Sequence, residues 1–299
     1  MIITISVWTK SAASGENFTI RQIADGVYLH PGITVGLTDP ERDNIANIGF
    51  IVGDNCVAVI DTGGSVKIGT MLLDAIHQTT DKPVCFVINT HVHFDHVLGN
   101  LAFKQKNVQF WGHNNLPAAI DNSREFFLQN FRNDLGNNPG PDSIVGPDHT
   151  VSDHKILDLG NREIELTAWP AAHTHTDLTV LDKKSGVFWA GDLVFREHIP
   201  VIDGSLKGWL SVMPDLEKIK ASKIIPGHGP VADNWKDALS AQYEYLNTLL
   251  TETRQAIADG KFMEEAIDTI GQGQKDKWKL FDQHHKSNVS KAFTELEWE

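Results

Sequence analysis

Three histidines and an aspartate fall within six positions at His91-Val92-His93-Phe94-Asp95-His96, directly after the apolar run Val84-Cys85-Phe86-Val87-Ile88. Histidines two residues apart in an extended or loop segment project to the same side, so His91 and His93 can bind one ion. Asp95 and His96 are adjacent and turn away, toward a second position or toward the first ion's water. Neutral imidazoles with carboxylates and no thiolate suit Zn²⁺ first, with Mn²⁺ or Fe²⁺ as alternatives. A polar turn with incidental histidines would explain one histidine in such a place. It explains three with an aspartate poorly. Further candidates follow later apolar runs: His173 and His175 in AAHTHTD, Asp192 in WAGD, and His228 in IIPGHG. Each is expected in a loop at the end of a strand.

The elements that must position these residues are readable in outline. Residues 18–60 alternate as strands, with turns at Asp25-Gly26 and Gly53-Asp54-Asn55. Ser65 can cap a helix over 66–78 with Ile68, Met71, Leu72, Ala75 and Ile76 on one face. A strand follows Pro83 and delivers the HVHFDH motif at its carboxyl end, where open α/β sheets place their sites. VQFWGH (108–113) reads as a strand and 116–135 as a helix. The Gly-, Pro- and Asp-rich stretch 136–154 reads as a loop or lid that could cover a substrate. A second strand-rich block runs from Lys155, with a hairpin turn at Lys183-Lys184-Ser185-Gly186, so two similar halves are expected. Helices are expected over 209–221 and 234–256, with a short strand KIIP (223–226) between them. The divisions are an N-terminal extension (1–17), a catalytic domain (18–256) and a helical C-terminal extension packed on it (257–299).

Composition narrows the partners. Lys plus Arg number 26 against 39 Asp plus Glu, a formal charge of −13, which repels nucleic-acid phosphate and anionic membrane. The longest basic cluster, Lys104-Gln105-Lys106, reads as a helix end. No run approaches the roughly 18 apolar residues of a membrane span. A small-molecule substrate is therefore expected, without nucleic acid or membrane. Cys56 and Cys85 both sit in apolar runs and read as buried reduced thiols. The opening MIITISVWTKSAASG makes a poor export signal, which leaves a cytoplasmic reading of the sequence as given, or a periplasmic one if a signal has been removed.

The ordered motifs, from about residue 18 to 230, resemble the metallo-β-lactamase superfamily, with its H-x-H-x-D-H at a sheet end, a later His, an Asp and a final His. The resemblance implies an αββα sandwich. It also implies that His91, His93 and His173 bind a first metal, that Asp95, His96 and His228 bind a second, and that Asp192 bridges them. His173-Thr174 followed by Asp177 fits the family pattern better than His175, which falls to the rim or behind the ligands. Asp61 in VIDTG resembles the family's aspartate behind a ligand, though a simple turn residue is an equal reading. His198, Ile199, Asp203 and Trp209 are candidates for the cleft mouth, with Trp209 equally a core residue. His113 has counterparts in relatives but no implied ligand role.

Two such ions acidify a shared water and polarise the bond attacked, with Asp95 as ligand and orienting group. The implied activity is hydrolysis of an ester, thioester, lactone or amide-like bond. The alternatives are β-lactam hydrolysis or a metal-binding redox or relay protein. An aspartate at 192 resembles the broad hydrolases of the superfamily more than its best-known β-lactamases. HIPVIDGSLKGWL (198–210) and NVSKAFTELE (288–297) resemble the subgroup of quinoprotein relay system or sulfur-oxidation-associated zinc hydrolases.

Overall fold

Strand alternation builds the frame in the computed structural model, which describes residues 18–299. The 1–17 extension lies outside the described residues. The first sheet orders β1 (Arg21–Ala24), β2 (Val27–His30), β3 (Ile48–Val52), β4 (Val57–Ile60), β5 (Val84–Ile88), β6 (Gln109–His113) and β7 (His149–Val151). Its first four strands are antiparallel and the rest run parallel. The second sheet contains β8 (His154–Asp158), β9 (Glu163–Ala168), β10 (Leu178–Asp182), β11 (Val187–Phe195) and β12 (Lys223–His228). Again an antiparallel series ends in a parallel pair, β11 with β12. The two halves are therefore similar in plan.

Successive residues of β4 serve opposite faces, as pleating requires. Ala58 and Ile60 join Ile88, Leu166, Val180, Trp189 and Ile225 in the core between the sheets. Val57 and Val59 face outward onto Ile68, Leu72 and Ile76 of α1 (Val66–Thr79). Over the second sheet lie α4 (Leu206–Leu216), α5 (Trp235–Ala258) and α7 (Phe281–Leu296), whose Trp209, Tyr245 and Val289 share one core with Phe188 and Ile224. The result is an αββα sandwich. The remaining helices are α2 (Phe94–Val97), α3 (Leu116–Asn130) and α6 (Met263–Ile267). Among the described residues no helix is long and apolar enough to cross a membrane.

Several local expectations change. The helix expected over 116–135 stops at Asn130 and continues as a separate 3₁₀ turn, Arg132–Leu135. The helix expected from 209 starts at Leu206 because Ser205 caps it, accepting from Gly208 N at 2.9 Å, and it ends at Leu216. The stretch 136–154 includes edge strand β7, and Arg124 of α3 ties it down by donating to Ile144 O at 3.0 Å. Trp209 is core, with no exposure. The cysteines are not free: Cys56 and Cys85 form a disulfide with Cα atoms 5.8 Å apart. The parallel pairing of β4 with β5 brings the start of one strand beside the other, although 29 residues separate the two in sequence.

Candidate metal centre

The carboxyl ends of the parallel strands deliver the candidate residues to one place. His91 follows β5, and α2 turns Asp95 and His96 inward, while His228 closes β12. Asp192 departs from expectation, because it lies inside β11 rather than in a loop after it. The register of β11 slips on both sides of Gly191, whose φ of +51° suits glycine. That irregularity turns Asp192 out of the ladder and into the cluster. Gly227 is needed for space, since a Cβ there would occupy the position of the Asp192 carboxylate.

Atoms that could ligate an ion converge in two groups, one from His91, His93, His173 and Asp192 and the other from Asp95, His96 and His228. Asp192 touches both. Its Oδ2 lies 3.4 Å from His173 Nε2 and 3.3 Å from His228 Nε2, and its Oδ1 lies 3.3 Å from His96 Nε2. His175 is exposed and joins neither group, and its carbonyl accepts from Asn115 Nδ2 at 3.0 Å. His198 is buried, with its ring centroid 5.1 Å from that of His228, and its Nδ1 donates to Ile199 O at 2.6 Å. It too joins neither group. Asp61 stands behind the cluster and accepts from His96 Nδ1 at 2.8 Å, Thr90 N at 2.8 Å and Thr90 Oγ1 at 2.7 Å.

Hydrogen bonding fixes which nitrogens face the cluster. Carbonyl and carboxylate oxygens only accept here, so His173 Nδ1 donates to Val201 O at 2.6 Å and His228 Nδ1 to Ile45 O at 3.0 Å, as His96 does to Asp61. Their Nε2 atoms point inward. Nε2 of His91 and of His173 confront His93 Nδ1 at 3.1 and 3.0 Å. His96 Nε2 and Asp192 Oδ1 are buried with no hydrogen-bond partner. Converging nitrogens, two carboxylates and orphaned buried atoms make a donor set that fits divalent cations.

Electrostatics divides the set. Burial holds His173 down to about 3, against the pull of Asp192, and also keeps His91 well below its usual value. Burial opposes charge on His228 as well, but Asp192 and Asp95 prevail and raise it to about 10. His96 rises well above normal for the same reason, with Asp61 adding to the effect. Burial would raise Asp95 and Asp192, but the surrounding histidines hold both well below the usual carboxylate range. Protons therefore compete with a cation chiefly at His96 and His228.

Residues 42–228 match the family model described as the metallo-beta-lactamase superfamily. The chain belongs to that superfamily. It is 23% identical over 208 residues to a beta-lactamase-like protein 2 homolog of Caenorhabditis elegans, a match covering 69% of this chain and 62% of the relative. The chain thus spans under two thirds of that relative's length. A metallo-beta-lactamase from Pontibacter korlensis superposes with a TM-score of 0.61 at 19% identity, covering 77% of this chain and 98% of the other. The inverting sec-alkylsulfatase Pisa1 from Pseudomonas sp. superposes with a TM-score of 0.68 at 16% identity, over 93% of this chain and 50% of the other. The His/Asp groups that could hold a metal ion thus lie within a metallo-beta-lactamase superfamily fold.

Some contributors carry no local signal in the sequence. Asn47 is buried and bridges the halves, donating to Pro226 O and Gly229 O at 2.8 Å each and accepting from Gly32 N at 3.0 Å. Asn89, Asn100 and Thr62 form a buried polar floor under α2, with Asn89 Nδ2 donating to His96 O at 3.1 Å. Asp177, pushed up to about 7 by burial, holds the His173 loop by accepting from Thr174 N and Oγ1. Only its His-Thr-x-x-Asp spacing pointed to it.

Proposed function

We propose that the chain is a dinuclear zinc hydrolase acting on an ester, thioester, lactone or amide-like bond of a small molecule. The observation that carries this reading is the set of five imidazoles converging on two carboxylates, three of them with Nδ1 committed to an outer oxygen. His91, His93 and His173 would hold one ion, Asp95, His96 and His228 the other, and Asp192 would lie between them. When bound, such a pair supplies an acidified water and a positive contact for the bond under attack. Against the burial that would raise it, His96 and His228 keep the Asp95 carboxylate ionised, and Asp95 would help hold one ion and orient the attacking water by accepting a hydrogen bond from it. The net charge of −13 disfavours polyanionic substrates.

The test is a screen of zinc-loaded protein on thioesters, lactones, β-lactams, phosphodiesters and secondary alkyl sulfates. Turnover of a carbonyl class is expected, lost with a chelator, restored by zinc and absent in His91→Ala. An inactive panel, together with bound iron and oxygen consumption, would replace hydrolysis with the redox reading.

A further inference from the structure

The supports behind the histidines come from two sources. His96 and His228 lean on Asp61 and Ile45, both in the first half, and His91 Nδ1 sits 3.1 Å from Thr90 Oγ1 in the same half. His173 leans instead on Val201 O, and His93 Nε2 faces Asp203 Oδ2 at 3.3 Å. Val201 and Asp203 lie in the segment 196–205 between β11 and α4, which has no helix or strand of its own. Backbone bonds tie this segment to the His173 loop, through Asp203 N and Gly204 N to His173 O, and to Lys279; its side-chain anchors come from α7. Asn288 brackets Val201, donating from Nδ2 to Pro200 O at 2.7 Å and accepting at Oδ1 from Ile202 N at 2.9 Å. Lys291, one turn later, donates to Asp203 Oδ1 at 3.0 Å. Glu295, a further turn on, accepts from Ser205 Oγ at 2.6 Å and Leu206 N at 2.7 Å.

The Asn288 amide is itself oriented. His285 Nε2 donates to Ile270 O at 2.8 Å, so its Nδ1 accepts from Tyr245 OH at 3.0 Å, and the tyrosine oxygen accepts from Asn288 Nδ2 at 2.9 Å. That leaves Oδ1 for Ile202 N. The chain is buried at Tyr245, His285 and Asn288, where a satisfied polar network enforces one arrangement. Among the described residues α7 makes no hydrogen bond to Asp61 or Ile45; it approaches the second group through His284, whose ring lies 5.3 Å from that of His198, itself 5.1 Å from that of His228.

We propose that Asn288 and Lys291 of α7 are positioning residues of the first metal position: Asn288 sets His173 through Val201, and Lys291 sets His93 through Asp203. This rests on the dinuclear reading above, and direct metal binding tests it without recourse to activity. Full-length wild type, Asn288→Leu and Lys291→Met are titrated with zinc against a chromophoric chelator. Wild type holds two ions. Each variant keeps one at unchanged affinity and binds the other several-fold more weakly, less than the about 10–100-fold cost of losing a ligand's direct outer partner, because Asn288 and Lys291 act one contact further out. Lys291→Arg restores the second ion. Lys286→Met, which removes a comparable ion pair on the same helix, with Asp268 at 2.8 Å, leaves both affinities unchanged. If Asn288→Leu does not fold, Lys291→Met carries the test alone, because that lysine is exposed. Unchanged affinities in Lys291→Met, or a parallel loss at both positions shared by Lys286→Met, would overturn the proposal. A wild type that holds no ion would overturn the dinuclear reading itself.

Discussion

The two halves meet through buried charge at both ends of the sandwich, and the two meetings differ in kind. At the end away from the histidines, Arg162 of the second half reaches into the first. Its guanidinium donates to Val52 O at 3.1 Å and Asp25 O at 2.8 Å, and forks onto Asp182 at 2.9 and 2.6 Å. Ser185 N and Oγ add donors to the same carboxylate. This cluster completes itself, as a bidentate guanidinium and carboxylate can when carbonyls take the remaining N–H groups. At the histidine end His96 Nε2 and Asp192 Oδ1 lie 3.3 Å apart, buried, and neither completes a hydrogen bond. One seam is a lock made of protein alone. The other is a seam whose donor set could take a cation.

The comparison predicts opposite phenotypes for variants at the two ends. Asp192→Ala should have the largest effect: loss of a bound ion and a fall in kcat/KM on the order of a thousandfold, about 4 kcal/mol in transition-state terms. Its urea midpoint in chelator should fall by less than that of Arg162→Ala, because Asp95 still lies 3.4 Å from His96 Nε2 and 3.3 Å from His228 Nε2. Arg162→Ala should do the reverse, costing about 3–5 kcal/mol of stability because Asp182 becomes a buried, unpaired carboxylate. Its folded fraction should keep full zinc stoichiometry and turnover. Equal losses of both kinds in either variant would erase the distinction between the ends.

The parts of this architecture legible in the sequence were those carried by neighbouring residues. HVHFDH follows an apolar strand, and Ser65 accepts from Ile68 N at 3.1 Å as a helix cap should. The parts that escaped depend on register and on distant contacts. The helix between the strands beside Cys56 and Cys85 points to a parallel crossover, but nothing near either cysteine announces the register that sets them side by side. Asp192 was expected in a loop because the irregularity at Gly191 depends on how β11 meets β12. Asn288 and Lys291 share one face of α7 through their spacing of three, yet the carbonyl and carboxylate they hold are fixed only by tertiary packing. Arg162 showed no sign of its role either, since an Asn-Arg pair after a turn reads as surface.

The smallest expected effect tests the lock by pH. Burial would raise Asp182, but hydrogen bonds from Arg162 and Ser185 prevail and hold it below the ordinary carboxylate value. A carboxylate depressed in the folded state contributes stability that is fully present above its unfolded pKa, about 3.9. That contribution is lost as pH falls through the lower folded value. Asp182→Asn keeps one acceptor and removes the charge, so at pH 7 it should cost about 1.5–3 kcal/mol, the range for a hydrogen bond to a charged group. The gap from wild type should hold down to about pH 4 and narrow below it, measured by urea unfolding in chelator so that the histidine end does not contribute through bound metal. A gap that narrows between pH 8 and 6 would instead mean that histidines, and not Asp182, govern this end, and the two seams would no longer be distinct.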